Sequence, residues 1–217
     1  MRMRSDRFER RFLLAGPLFV ALLVLGGPIL VGNTPERDAS PSHVIAFYTA
    51  HRTRERAGAI VLALAFLAFL LLAGTLRSRW RRFERSEPLV VLMFVAAAIA
   101  VVGQTISAGL TYTIAEAPDR LTPAAAQTLN LLANDLVLTS AIGLLAFGVS
   151  AGLAILRGVE LPAWLGWLAI ASGILFVIPP AEVLGLLLLL IWVIAVSVLS
   201  LRRDPRSANA ELQPEPS

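Results

Sequence analysis

The chain has 217 residues, of which 57% are apolar and only 16% charged, and its mean hydropathy is +0.74. A soluble domain is nearer about 45–50% apolar and about a quarter charged. The composition therefore excludes a soluble enzyme, an intrinsically disordered chain and a nucleic-acid-binding domain, despite a pI of about 10.8. No cysteine is present, which removes disulfides, thiol catalysis and cysteine-held metals.

The apolar residues fall into long runs, and a run needs about 20 residues to cross the hydrocarbon core of a bilayer. Six runs meet or approach that length: Phe12–Gly32, Ala57–Leu76, Pro88–Thr113, Leu129–Leu156, Pro162–Ile178 and Ala181–Leu201. The expected fold is all-α, a polytopic transmembrane bundle of six helices. A basic cytoplasmic N-terminus (1–11) precedes the membrane domain (12–203), and a polar, proline-containing, disordered cytoplasmic tail (204–217) follows it. The first run is too long for an ordinary signal-peptide core and no Ala-x-Ala site closes it, so it reads as an uncleaved span.

Between the first two runs, Ser40-Pro41 pairs a helix N-cap residue with proline at the first helical position. Val44, Ile45, Phe47 and Tyr48, followed by His51, Arg52, Arg54, Glu55 and Arg56, predict a short extracytoplasmic amphipathic helix leading into the second span, with Gly58 as the joint. Thr122-Pro123 repeats the cap. A helix from Pro123 to Leu156 is about 51 Å long, more than the bilayer, so its first turns are expected to project outward or the helix to tilt. Pro179-Pro180 breaks the fifth run from the sixth and predicts a tight hairpin.

Every one of the 19 basic residues is arginine, and with the abundance of Ala, Leu and Gly this suggests a GC-rich, bacterial genome. Their placement sets orientation. The N-terminal segment, the Arg77–Arg85 loop, Arg157 and the tail hold fourteen of them, against Arg37, Arg52, Arg54, Arg56 and Arg120 on the other side. The positive-inside rule then places both termini in the cytoplasm of a bacterial inner-membrane protein. Arg77, Arg79, Arg81, Arg82 and Arg85 are candidates for contact with anionic lipid headgroups.

Small residues mark helix contacts in lipid. Ala96, Ala100, Gln104, Ser107 and Thr111 form such a stripe on the third span. Ala141, Gly148 and Gly152 on the fourth and Ala169 and Gly173 on the fifth belong to the same pattern. Trp80, Tyr112, Trp164 and Trp167 stand near span ends, where aromatic belts form.

Motifs for intramembrane chemistry are missing. No His-Glu-x-x-His, Gly-x-Ser-x-Gly or P-loop pattern occurs, His43 and His51 lie before the second span, and no cofactor or metal is expected. The informative polar residues are Gln104, Asn130, Asn134, Asp135 and Glu182. Ionisable groups inside membranes are costly and often functional; counting from the cytoplasmic ends puts Asp135 and Gln104 at similar height near the outer interface, and Glu182, beside the Pro-Pro turn, is also outer. They form a candidate polar pocket, with Tyr112 near and Arg120 above. The competing expectation is that Asn134 and Asp135 only satisfy groups where helices meet.

Leu161-Pro162-Ala163-Trp164-Leu165-Gly166-Trp167-Leu168 and its glycine-containing apolar continuation resemble the signature of a bacterial six-span family, the integral membrane proteins grouped as, or near, domain of unknown function 4386. Ile191-Trp192-Val193 through Ser197-Val198-Leu199, closed by Arg202-Arg203, the Phe47–Arg52 stretch and the Leu129–Asp135 stretch are also similar to it. The resemblance spans about Gly16 to Arg203. It implies six spans and no particular activity.

The leading functional expectation is a non-enzymatic membrane protein, either an accessory subunit or a binder of a small lipophilic ligand. The bilayer, a membrane-protein partner or a second copy are its expected partners, and nucleic acid is not. A small transporter using the outer pocket is the alternative. A lipid-modifying enzyme with Asp135 or Glu182 as general base comes third, since it needs a second polar actor beside the acid.

Overall fold

The computed structural model describes residues 13–32 and 34–202, so the basic N-terminal segment and the polar tail lie outside the described residues. The described chain is all-helical, with no strand. Helix α1 is Ala15–Val24 and continues as a wider π-helical stretch, Leu25–Val31. The others are α2 (Pro41–Trp80), α3 (Glu87–Glu116), α4 (Pro123–Arg157), α5 (Ala163–Leu175) and α6 (Glu182–Arg202). Among them α2, α3, α4 and α6 are long and apolar enough to cross a membrane, while Ala15–Val31 and α5 are shorter.

Both proline-led starts form as the sequence dictates. The Ser40 hydroxyl accepts from the His43 N–H and the Thr122 hydroxyl from the Ala125 N–H, each satisfying a donor that the first helical turn leaves open. The π-helical stretch contains Pro28, which has no N–H to offer the preceding turn, and the ladder there widens until Gly32 N–H reaches the Gly27 carbonyl at 2.8 Å.

Helix α2 differs from expectation at its joint. The outer segment runs into the membrane-crossing part without an interruption in sequence, and the kink is at His51 (φ −116°, ψ 18°), not at Gly58. The imidazole Nδ1 lies 2.9 Å from the Phe47 carbonyl and the ring packs on Phe47. Gly58 instead serves a close approach, because a Cβ there would stand 2.5 Å from Val31 Cγ2.

Consecutive helices are neighbours, and α1 against α6 closes the ring. A chain of aromatic side chains crosses the interior, Phe19 to Phe69 (5.1 Å between ring centres), Phe69 to Phe147 (4.9 Å) and Phe147 to Trp192 (5.5 Å), linking α1, α2, α4 and α6. Leu72, Leu76 and Met93 fill the space beside it. The Trp192 indole N–H donates to the Leu165 carbonyl at 3.0 Å, so its burial leaves no orphan donor. Of the belt candidates, Trp164 and Trp167 face outward, but Trp80 is buried in the core.

Helix α4 meets α5 through small residues. A Cβ on Gly148 would collide with the Ala169 carbonyl, and one on Gly152 with the Gly166 carbonyl. On its other side, Gly103 of α3 sits against Ser140. The short α5 is decisive for the site. It ends at Leu175, about 20 Å from its start, and the turn containing Pro179-Pro180 returns the chain into α6. The start of α2, the end of α3 and the start of α4 come together with the 34–40 segment in a polar collar.

Candidate functional site

The collar is tied by ion pairs and by bonds to backbone. Arg37 Nε lies 3.1 Å from Asp135 Oδ1, Arg56 Nε lies 2.7 Å from Glu116 Oε2, and Arg52 reaches the Glu116 carbonyl and Asp119. The Asn130 amide donates to the Glu36 carbonyl at 3.1 Å and the Gln127 amide to the Ala39 carbonyl at 3.3 Å, which seats the 34–40 segment on α4.

Beneath this collar is a polar chamber of about 150 Å³. Gln104, Ser107 and Thr111 come from α3, Asn130 and Asn134 from α4, Tyr48 from α2 and Val31 from the π-helical stretch. The helical spacing of the α3 residues puts them on one face, and the Ser107 hydroxyl donates to the Ala133 carbonyl at 2.8 Å, locking α3 to α4 at this level. Asn134 donates to the Asn130 carbonyl one turn back at 2.9 Å.

Next to it lies an apolar chamber of about 250 Å³, bounded by Phe19, Phe66, Leu144, Phe176 and Leu186, with Ser140 and Glu182 among its few polar neighbours. Gln104 and Val137 border both chambers. The apolar one extends down α4 from Val137 to Leu144 and along the start of α6, whereas the polar one extends up α4 from Val137 to Asn130.

Glu55 stands on the α2 face that also carries Tyr48, Ala59 and Leu62, in the segment that precedes the membrane-crossing run. Its side chain is fully buried. Arg54 holds Oε1 at 3.2 Å and also reaches the Val31 carbonyl, while Oε2 has no hydrogen-bond partner among the described residues. Burial pushes the Glu55 carboxyl above its ordinary range, opposed by Arg54 and His51. Burial and the nearby Glu55 charge push the Tyr48 phenol up to about 12, opposed by a hydrogen bond with Thr111.

The structure thus brings Gln104, Asn130 and Asn134 into one chamber and places Glu182 at the other, with Gln104 and Val137 lining both. Asp135 lies outside both, half exposed and paired with Arg37, and Tyr112 belongs to the collar, its hydroxyl 3.4 Å from Arg56. Glu55 and Tyr48 were not singled out by sequence. The signal for Glu55 was available: stepping back from the buried Phe69 and Phe66 through the half-buried Leu62 by three or four residues lands on Ala59 and Glu55; Tyr48 lies seven residues further back, beyond the kink at His51. On the opposite end, Arg77, Arg81 and Glu87 border a cavity of about 310 Å³. Arg77 also lies over the Phe94 ring, Arg82 lies over Phe83, and Arg79 turns inward to donate to the Ser200 carbonyl at 2.8 Å.

Four helices long and apolar enough to cross a bilayer, with apolar side chains such as Leu67, Ile99, Ile106 and Ile142 on their outer surface, define a helical membrane protein. Compared with known proteins, the chain matches no family model, no curated protein and no solved structure.

Proposed function

We propose that this is a six-span protein of a bacterial cytoplasmic membrane, with both termini in the cytoplasm, that binds a small lipophilic ligand bearing a polar head and performs no chemistry on it. The observation that carries the binding reading is the pair of chambers, one polar and one apolar, sharing Gln104 and Val137. A ligand in the outer leaflet has its polar end toward the collar and its apolar body toward the bilayer interior, and the chambers are stacked in that order. Binding sites of this kind are mostly apolar clefts with a few placed polar groups.

The count of six adds the shorter α1 and α5 to the four long helices. Both pack in the ring and expose apolar side chains, Leu14, Leu18 and Ile29 on one and Trp164, Trp167 and Ile174 on the other. The resemblance to the domain of unknown function 4386 family implies the same count. Passage of a substrate through the bundle is less well supported, because the aromatic chain from Phe19 to Trp192 fills the interior below the chambers. For anionic lipid headgroups, the Arg77 and Arg81 cavity is the best-formed part of the basic loop.

Filling the apolar chamber tests this reading. Ala141 lines it and is only half-buried. Wild-type protein in phosphatidylcholine nanodiscs is expected to bind radiolabelled decanol saturably, and Ala141→Phe is expected to lose the saturable component while keeping its melting temperature. Saturable binding unchanged in Ala141→Phe contradicts the assignment.

A further inference from the structure

We infer that the cleft between the end of α2 and the start of α3 holds one anionic glycerophospholipid, its phosphodiester between Arg77 and Arg81 and its chains along the α2–α3 seam; this rests on the headgroup reading above and gives it one site and one class of lipid. Gly74, Arg77 and Arg81 on one side and Glu87, Val90 and Val91 on the other bound this cavity of about 310 Å³. The arginines of the basic loop are not equivalent around it. Arg79 turns away to the Ser200 carbonyl and Arg82 lies over Phe83. Arg77 and Arg81 stand four residues apart, about 6 Å along the helix axis. Arg37, Arg52, Arg54 and Arg56 at the collar each have a carboxylate partner, but Arg77 and Arg81 have none among the described residues. The Arg77 guanidinium carbon lies 5.1 Å from the centre of the Phe94 ring, which holds it across the seam against α3. Two guanidinium forks one turn apart match the two non-bridging oxygens of a phosphodiester.

The surroundings of the cleft point to a lipid. On α2, Leu67 and Leu71 continue the helical spacing of Gly74, Arg77 and Arg81, and on α3, Val91 and Val95 continue that of Glu87. All four apolar side chains are exposed. Two lipid-facing strips therefore run from the cleft along neighbouring helices, where acyl chains attached to the phosphate lie. Gly74 keeps the floor open: its Cβ would stand 3.6 Å from the Phe94 ring, so a longer side chain takes the space of the ligand. Charge selects the headgroup. Between residues 77 and 87, five arginines face only Glu84 and Glu87, and such an excess favours a net negative lipid over a zwitterion. A glycerol headgroup also has hydroxyls to donate to Glu87 at the edge of the cleft.

The test is equilibrium binding of radiolabelled dioleoyl phosphatidylglycerol to the full-length protein in dodecylmaltoside, with unlabelled competitors. Phosphatidylglycerol is expected to compete about tenfold better than phosphatidylethanolamine or phosphatidylcholine, the size of one charge-assisted hydrogen bond. Arg77→Gln with Arg81→Gln is expected to abolish that preference; both positions are exposed, so the core is untouched. Arg82→Gln with Arg85→Gln removes the same charge and is expected to keep it. Gly74→Leu, with every arginine in place, is expected to lose it. Equal loss in the two arginine pairs, or full preference in Gly74→Leu, overturns the cleft and leaves the headgroup reading standing. Preference for phosphatidylethanolamine overturns the anionic class. Inorganic phosphate and glycerophosphoglycerol, the deacylated headgroup, are expected not to compete; competition by either identifies a soluble phosphate ligand and overturns the lipid. A wild type indifferent to the headgroup overturns both the cleft and the headgroup reading.

Discussion

Two carboxylates at the collar end of the bundle live under opposite conditions. Asp135 is half exposed and faces Arg37 through both of its oxygens, and exposed pairs contribute only about 0–1 kcal/mol. Glu55 is fully buried with one oxygen held by Arg54. Because burial raises its folded value above the ordinary 4.5, the folded chain binds this proton more tightly than the unfolded chain. Stability from this group is therefore present below about 4.5 and is lost as pH rises through the raised folded value. Glu55→Gln removes the titration and leaves Arg54, His51 and Tyr48 in place. Its melting temperature minus that of the wild type is expected to grow as pH rises above about 4.5; parallel curves contradict the burial account. Sequence reading favoured Asp135 because it interrupts an apolar run, and passed over Glu55 because Arg52, Arg54 and Arg56 make its surroundings look solvated. Glu55 follows the kink at His51 and shares the helical register of the buried Ala59, Phe66 and Phe69, so its face was legible from that stripe but masked by the charges on either side.

At the scale of elements, helix contacts depend on the absence of side chains. Leu at Gly148 drives atoms into the Ala169 carbonyl and the Gly173 backbone of α5, and overpacking costs about 1–3 kcal/mol. Gly148→Leu is expected to lower the melting temperature in detergent. Gly109→Leu, at a position where nothing lies within 4 Å, is expected to leave it unchanged; equal effects at the two positions contradict the contact. Much of this level was legible in sequence. Ser40-Pro41 and Thr122-Pro123 announced two helix starts, Pro179-Pro180 announced the hairpin, and the stripe from Ala96 to Thr111 announced the buried face of α3. Less legible was the joint of α2. Glycine permits a bend but does not require one, and at Gly58 its use is the approach of Val31. Gly166 also escaped notice, since its partner Gly152 becomes known only when α4 and α5 are placed together.

For the whole molecule, orientation and site form one claim, since a ligand from the outer leaflet needs the collar outside. Arg37, Arg52, Arg54 and Arg56 are each tied to a carboxylate in the collar, while Arg77, Arg79, Arg81 and Arg82 lie at the other end of α2. Reporter fusions at Ser78 and Ala208 are expected to read cytoplasmic and a fusion at Asp119 external; an external reading at Ala208 contradicts six spans. The composition made the membrane class legible and the sequence pointed to Gln104, Asn130 and Asn134 as pocket residues, but the apolar chamber was not legible, because its lining comes from α1, α2, α3, α4 and α6 and meets only when those helices are placed together. The most direct test of the binding site is photolabelling in nanodiscs with a diazirine-bearing decanol, followed by peptide mapping. Labels are expected to concentrate on Val137–Leu144 and Glu182–Leu189, to be displaced by unlabelled decanol and to disappear in Ala141→Phe. Labels spread over the outward-facing Ile99, Ile106 and Leu67, indifferent to unlabelled decanol and to Ala141→Phe, contradict it.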